Sequence, residues 1–400
     1  MESKTNTDIN SLEISDEIKL GIEEINSLLK GESLENNLLY IVRILNKINK
    51  LKKIFKKDLL EKLKETYSTD IILVLKAIKN LDISDELNKE IENRNSLNIA
   101  LMLAAWNGYE KNVKLLLDSK VNLKTSGNNI LIINSICSRN EENEEVLRII
   151  LEKLKEDSLI QKIIKEIECL DINPTTFDDT VPLLSAIKNN NNKILKQIID
   201  FSKCLLEKIK LSDQSDQVFK DKYFYYFYHP MILESAIKTN NEKITKQIID
   251  FLKYLWEKGK LTNKKIFLDI LFKEDREHNT PLLLAVKKNN KEIAKQIIDF
   301  LKYLLGNKKL SKNDIFKGLN TKDNLRRNFF SSSIKNTNKD VVELIIDFLK
   351  YLWKHKILSK EEILKILNVE EERSYLNPLF KITNNKEAVK PIMSFLKCAC

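Results

Sequence analysis

An all-α fold built from repeated units is what this sequence predicts, and three observations carry that expectation. The octapeptide IIDFLKYL occurs at 248–255, again at 297–304 and again at 345–352. Only seven glycines and six prolines interrupt 400 residues, so turns are sparse and helices dominate. Apolar residues at 42% and charged residues at 32% suit a folded chain and are too apolar for a disordered one. A chain this long exceeds one compact core, which leaves separate domains or an elongated array of units.

The array is the better fit. KQIIDF recurs at 196–201, 246–251 and 295–300, LIIDF at 344–348, and a weaker PIMSF at 391–395. Their aspartates, Asp200, Asp250, Asp299 and Asp347, lie 50, 49 and 48 residues apart. A second shared segment precedes each copy: PLLSAIKNNNNK from 182, LESAIKTNNEK from 233, PLLLAVKKNNK from 281 and SSSIKNTNK from 331. A third follows each: KLSDQSDQVF from 210, KLTNKKIFLDIL from 260, KLSKNDIFKGL from 309 and ILSKEEILKIL from 357. Each unit therefore reads as three helical segments of about 16 residues, and a fixed period of this size predicts that each unit buries its apolar face against the next. The expected divisions are an N-terminal helical cap at 1–94, shorter repeats at 95–175, and long three-helix repeats over 176–400. Within the last region the units fall at about 180–229, 230–279, 280–328 and 329–377, with a partial cap at 378–400.

Local chemistry supports helices at these places. In IIDFLKYLW, Asp250 and Lys253 share a face and are expected to pair, while Ile248, Ile249, Phe251, Leu252, Leu255 and Trp256 cover most of the circumference. Such a broad apolar surface belongs to a helix packed on several sides. Letter-for-letter copies follow if every copy meets the same surroundings. The Asn-rich turns KNNNN, KTNNE and KKNNK end the first segments, because Asn tolerates the left-handed backbone of a helix C-cap. Ser311 with Asp314, and Ser359 with Glu362, have capping-box spacing for the third segments. Pro182 and Pro281 open first helices, where a missing N–H costs nothing, and Pro230 and Pro378 fall two residues out of that register. Residues 1–94 are apolar-periodic, as in LLYIVRILNKINKLKKIFKKDLLEKL.

The stretch NIALMLAAWNGYEKNVKLLLDSKVNL at 98–123 resembles the ankyrin repeat, with Leu101, Ala104, Ala105, Gly108, Val113, Leu116 and Leu117 on pattern positions. A degenerate copy, GNNILIINSICSRNEENEEVLRIILEKL, begins at 127, and TVPLLSAIKNN and NTPLLLAVKKNN keep the start of the same pattern. The resemblance is specific over 98–150 and partial over 176–400. Ankyrin units run about 33 residues, whereas the later ones here run 47–50 and have lost most hairpin glycines. What the resemblance implies is an α-solenoid of ankyrin-like helix pairs with an extra helix per unit. By period length alone, a HEAT-like helical solenoid is the runner-up.

The search for catalytic chemistry finds little. His229, His278 and His355 have no Cys, His or carboxylate at metal-ligand spacing, and no phosphate-binding or nucleophile motif occurs, so no catalytic residue, cofactor or metal is assigned. Cys137, Cys169, Cys204, Cys398 and Cys400 are odd in number and suggest a reducing compartment. The polar, acidic start is unlike a secretory signal, and no run of about 18 apolar residues would span a membrane. The tail Cys398-Ala399-Cys400 resembles the C-x-C end that is doubly lipidated on some small GTPases, so these two cysteines are candidate lipidation sites for peripheral anchoring. The run KDKYFYYFYHP at 220–230 is either an exposed aromatic anchor or rings packed into a groove below.

Net charge is +10, but the cations are nearly all lysine, with eight arginines. Together with abundant Asn and Ile, that bias resembles the coding of an AT-rich genome, as in many obligate intracellular bacteria. The expected function is a non-enzymatic protein–protein interaction scaffold, acting as a monomer on a protein partner. The composition points to a bacterial effector in a host cytoplasm. On the ankyrin pattern its contact residues would include Trp106, Asn107, Lys188, Lys238, Lys287 and Lys288. The alternatives are a basic solenoid that binds nucleic acid without base specificity, and an enzyme whose groove is assembled from residues that match no motif.

Overall fold

The computed structural model describes residues 94–119, 143–156, 182–208, 231–259, 264–335 and 339–367, with isolated positions elsewhere. The expected cap at 1–94, the start of the copy at 127, the aromatic run at 223–229, Pro230, His229, Cys169, and the segment 378–400 with Cys398 and Cys400 lie outside the described residues. Among the described residues there are fourteen helices and no strand. The chain divides into two compact units, 1–223 and 224–400.

In the first unit, α1 (Arg94–Trp106) packs on α2 (Glu110–Asp118), and α2 on α3 (Glu144–Leu154). Then α4 (Pro182–Lys188) packs on α5 (Asn192–Lys208), which also meets α3. The α1–α2 and α4–α5 turns share one geometry. Gly108 at φ 75 and Asn190 at φ 56 take the left-handed position, and the following N–H groups bond back to Ala104 and Ala186. Val113, Leu116, Leu147, Ile150, Ile194, Leu195 and Leu205 are all sealed from solvent beneath these pairs.

The second unit writes a three-helix block three times. The first helices are α6 (Ile232–Lys238), α9 (Pro281–Lys287) and α12 (Phe329–Lys335). The second helices are α7 (Glu242–Glu257), α10 (Lys291–Gly306) and α13 (Lys339–Lys354). The third are α8 (Lys264–Phe272), α11 (Lys312–Asn320) and α14 (Lys360–Ile366). Like packs on like: α6 on α9 on α12, α7 on α10 on α13, and α8 on α11 on α14. The three segments are unequal, however. First helices have 7 residues and second helices 16, because the Asn turn cuts in early. Asn240 and Asn289 adopt φ 57 and 58 at that turn. The next residue in each case caps the second helix, since Asn241 and Asn290 accept from the N–H groups of Ile244 and Ile293.

Middle-row packing explains the copied octapeptide. Ile248, Phe251, Leu252 and Leu255 are at most 1% exposed, and so are Phe300, Leu301 and Leu304, and Ile345, Phe348, Leu349 and Leu352. Each such side chain contributes roughly 1.5–3 kcal/mol on burial, so drift in any letter is costly. The aspartates between them face solvent. The expected Asp–Lys pairing forms as Asp200–Lys203 at 3.9 Å and Asp347–Lys350 at 3.3 Å. In the 248 and 297 copies the lysine instead reaches the next copy: Lys253 lies 5.5 Å from the Tyr303 ring centroid and Lys302 lies 5.3 Å from that of Tyr351. Those contacts tie consecutive second helices together.

The third row is tied in the same way. Both expected capping boxes are present, at Ser311/Asp314 and Ser359/Glu362. Each box acid also receives a lysine from the preceding block, Lys264 to Asp314 at 2.9 Å and Lys312 to Glu362 at 2.9 Å. Gly318 lets α11 close on α8, since a Cβ there would stand 2.2 Å from the Phe272 ring.

Candidate functional site

The residues expected to meet a partner lie at the ends of first helices and in the turns that follow. In the first unit Trp106 and Asn107 are half-buried and close α1: the Asn107 amide donates to the Leu103 carbonyl at 2.8 Å. The Trp106 carbonyl accepts from the Asn143 amide at 3.2 Å, so this turn is braced by α3's approach. Lys188 is exposed at the end of α4. Beside the α1–α2 turn, Gly108, Tyr109, Glu110, Lys111 and Lys114 line a depression of about 480 Å³. Lys114 there is already paired with Glu110 at 2.6 Å.

In the second unit Lys238, Lys287 and Lys288 are brought onto one edge by the packing of α6 on α9. Their surroundings differ. Lys238 is exposed and pairs with Glu234, a carboxylate buried on α6. Lys287 is tied down: its ammonium donates to the Asn279 side-chain Oδ1 at 2.8 Å and lies 3.4 and 3.6 Å from the Glu277 and Asp323 carboxylates. It is one-quarter exposed and works chiefly as an internal cation. Lys288 is exposed. Turn asparagines join the blocks on this edge, where the Asn290 amide donates to the Asn240 side chain at 3.1 Å.

A loop unread in the sequence organises the neighbouring edge. Residues 275–279 and 323–327 form the same turn 48 residues apart. Asp275 accepts from the N–H groups of Glu277 and Asn279, and Asp323 from those of Leu325 and Arg327. His278 at φ 60 and Arg326 at φ 57 fill the left-handed position. Burial opposes ionisation of Asp323, but the Arg327 N–H and guanidinium and the Leu325 N–H outweigh it and hold the carboxyl below its usual range. Burial also opposes ionisation of Asp275, and hydrogen bonds from Asn279 and Glu277 with the charge of Lys238 overcome it. The loop presents Leu325 at its tip, 63% exposed. The shared signal is slight: an aspartate followed by polar residues.

His278 Nδ1 lies 2.6 Å from Glu274 at the surface, and His355 Nδ1 lies 2.9 Å from the Tyr351 carbonyl. Burial pushes the Cys137 thiol well above its ordinary range and away from reactivity. Among the described residues, no group of three His, Cys, Asp or Glu side chains could hold a metal ion, and no helix is long and apolar enough to cross a membrane.

No protein-family model and no curated protein matches the chain.

Proposed function

We propose that the chain is an α-solenoid of ankyrin-like helix pairs with a third helix per long unit, and that it serves as a non-enzymatic, monomeric scaffold for a protein partner. The supporting observation is the threefold repetition of one block in residues 231–367, whose like helices pack on like. Repetition offers a partner the same side-chain positions several times over, which suits an extended contact rather than a single pocket. In the second unit the exposed Lys288 would meet carboxylates of the partner, and in the first unit Lys188 would do the same, with Trp106 supplying apolar contact. The lysine-rich, arginine-poor composition supports a source with an AT-rich genome, and we place the partner in the cytoplasm of a host cell into which the protein is delivered.

The test is affinity capture from several host lysates with the native chain and with a Lys188→Glu/Lys288→Glu variant. A near-stoichiometric partner, bound at least tenfold more weakly by the variant, is the expected result. Capture of nothing stoichiometric from any host, or equal capture by both proteins, contradicts the proposal.

A further inference from the structure

The two ends of the second helices in residues 231–367 differ in charge. At their starting ends most of the charge is balanced: Lys238 by Glu234, Lys287 by Glu277 and Asp323, and Lys291 by Asp340 at 3.1 Å, with Lys243 and Lys288 exposed beside Glu242 and Glu292. At their finishing ends the turns expose Lys258, Lys308, Lys309, Lys354 and Lys356. Glu257 is the carboxylate in these turns, and it already accepts the Tyr303 hydroxyl at 2.8 Å. The nearby box acids Asp314 and Glu362 are held by Lys264 and Lys312. A coding bias towards lysine would enrich both ends alike. The inequality needs another cause.

A helix C-terminus attracts cations through its exposed carbonyls, which accounts for Lys258 and Lys354. It does not account for Lys308 and Lys356. Both stand at φ 55, the left-handed position that the first block fills with Gly259 at φ 63. A side chain is thus kept twice where the backbone favours glycine, and both times it is lysine.

The three turns lie side by side. The Lys264–Asp314 and Lys312–Glu362 pairs join the helices that leave them, and Lys309 sits 5.0 Å from the Trp256 ring of the preceding block. Trp353 occupies the place of Trp256 in the last block and is 37% exposed on this same edge. Lysines cover the faces of Trp256, Tyr303 and Tyr351, which lie against Lys309, Lys253 and Lys302. A single-stranded nucleic acid would need such faces for stacking, and no arginine stands in these turns for bidentate reading of a duplex. What the edge offers is a row of lysine-tipped turns with an exposed tryptophan, which matches a planar anionic interface.

We propose that this edge docks on a lipid leaflet rich in acidic headgroups, with the turn lysines facing the headgroups and Trp353 entering the interface. The second helices are 16 residues long and so separate this edge from the first-helix edge by about 24 Å. Membrane docking and partner capture can therefore be tested independently.

The experiment is sedimentation of the full chain with vesicles of phosphatidylcholine alone and with vesicles also containing phosphatidylserine. Binding to the acidic vesicles only, weakening as salt rises, is expected. Replacing Lys308, Lys309 and Lys356 together by Asn keeps the left-handed turns and removes three charges. Partitioning should fall about a hundredfold, at roughly fivefold per lysine. Trp353→Ala should weaken binding several-fold and abolish a lipid-induced blue shift in tryptophan fluorescence. Lys243→Asn with Lys295→Asn, on the other edge, should change partitioning less than twofold. Should the triple variant lose its helical circular dichroism, the salt series and Trp353→Ala decide the matter. No binding to acidic vesicles, an equal loss from the control pair, or tighter binding of polyglutamate or duplex DNA through the same lysines would overturn the proposal.

Discussion

Helices α9 and α12 hold the same place in consecutive blocks, yet one is made of leucine and the other of serine. Leu283, Leu284 and Ala285 of α9 correspond to Ser331, Ser332 and Ser333 of α12, and all six are at most 9% exposed. At two of the three places the backbone and a neighbouring asparagine take up the serine hydroxyl, and Ser332 is the exception. Ser331 bonds to Asn328, and Ser333 donates to the Phe330 carbonyl at 2.7 Å. Phe329 and Phe330 fill volume where α9 has Pro281 and Leu282. In the middle row the exchange is confined to the first turns, where Thr245, Ala294 and Val342 share one buried place, while Phe251, Phe300 and Phe348 are identical. Both α9 and α10 make their main contacts with three helices, so the change of chemistry in the first row is tolerated through local partners for serine rather than through looser packing. The copied octapeptide of the second helices is kept in all three blocks.

The largest effect should come from breaking the middle row. Phe300→Ala is expected to cost about 3–5 kcal/mol in urea unfolding. Leu284→Ala in α9, where the side chain is 9% exposed, should cost less.

Next comes the polar substitute itself. Asn328 is fully buried, its amide donates to the Ile366 carbonyl at 2.6 Å, and its oxygen accepts from the Ser331 N–H. Asn328→Ala orphans both partners and should cost about 2 kcal/mol. The corresponding Thr280→Ala in the leucine-built block loses one cap bond and should cost about 1 kcal/mol.

Acid should act on the loops and caps rather than on the apolar rows. Asp275, Asp323, Asp314 and Glu362 all have carboxyls held below their usual range. For each, burial opposes the charge and hydrogen bonds or lysines prevail. Their contribution is present above the unfolded carboxylate pKa of about 4 and is lost as pH falls through the lowered folded values. Thermal unfolding followed down from pH 6 should show stability falling below about pH 4. Asp323→Asn should make that fall shallower.

Gly318→Ala is expected to cost about 1–2 kcal/mol, since the Phe272 ring must move despite the better helix former. The smallest effect should have the opposite sign. Ser332 Oγ is buried with no hydrogen-bond partner, so Ser332→Ala should raise stability by about 1 kcal/mol, while Leu284→Ser should lower it.

Much of this was legible in the sequence because repetition reports packing. The copied octapeptide, the left-handed asparagines and both capping boxes were readable locally, since each depends on residues within a few positions. The unequal helix lengths were not. The second asparagine of each turn acts as an N-cap, and spacing alone does not say which side of the turn it serves. The inter-block contacts, Lys264 to Asp314 or Lys302 to Tyr351, join residues about 50 positions apart and exist only once the blocks are stacked. For the same reason Lys287 looked like a surface contact, whereas Asn279, Glu277 and Asp323 converge on it in three dimensions. The paired loops at Asp275 and Asp323 share too few letters to be seen as copies.

Hydrogen exchange on the Phe300→Ala variant, compared block by block with the native chain, addresses mutual bracing most directly. If each copy supplies the wall its neighbour needs, amides of α7 and α13 will lose protection along with those of α10. Faster exchange confined to α10, with α7 and α13 as protected as before, would contradict that account.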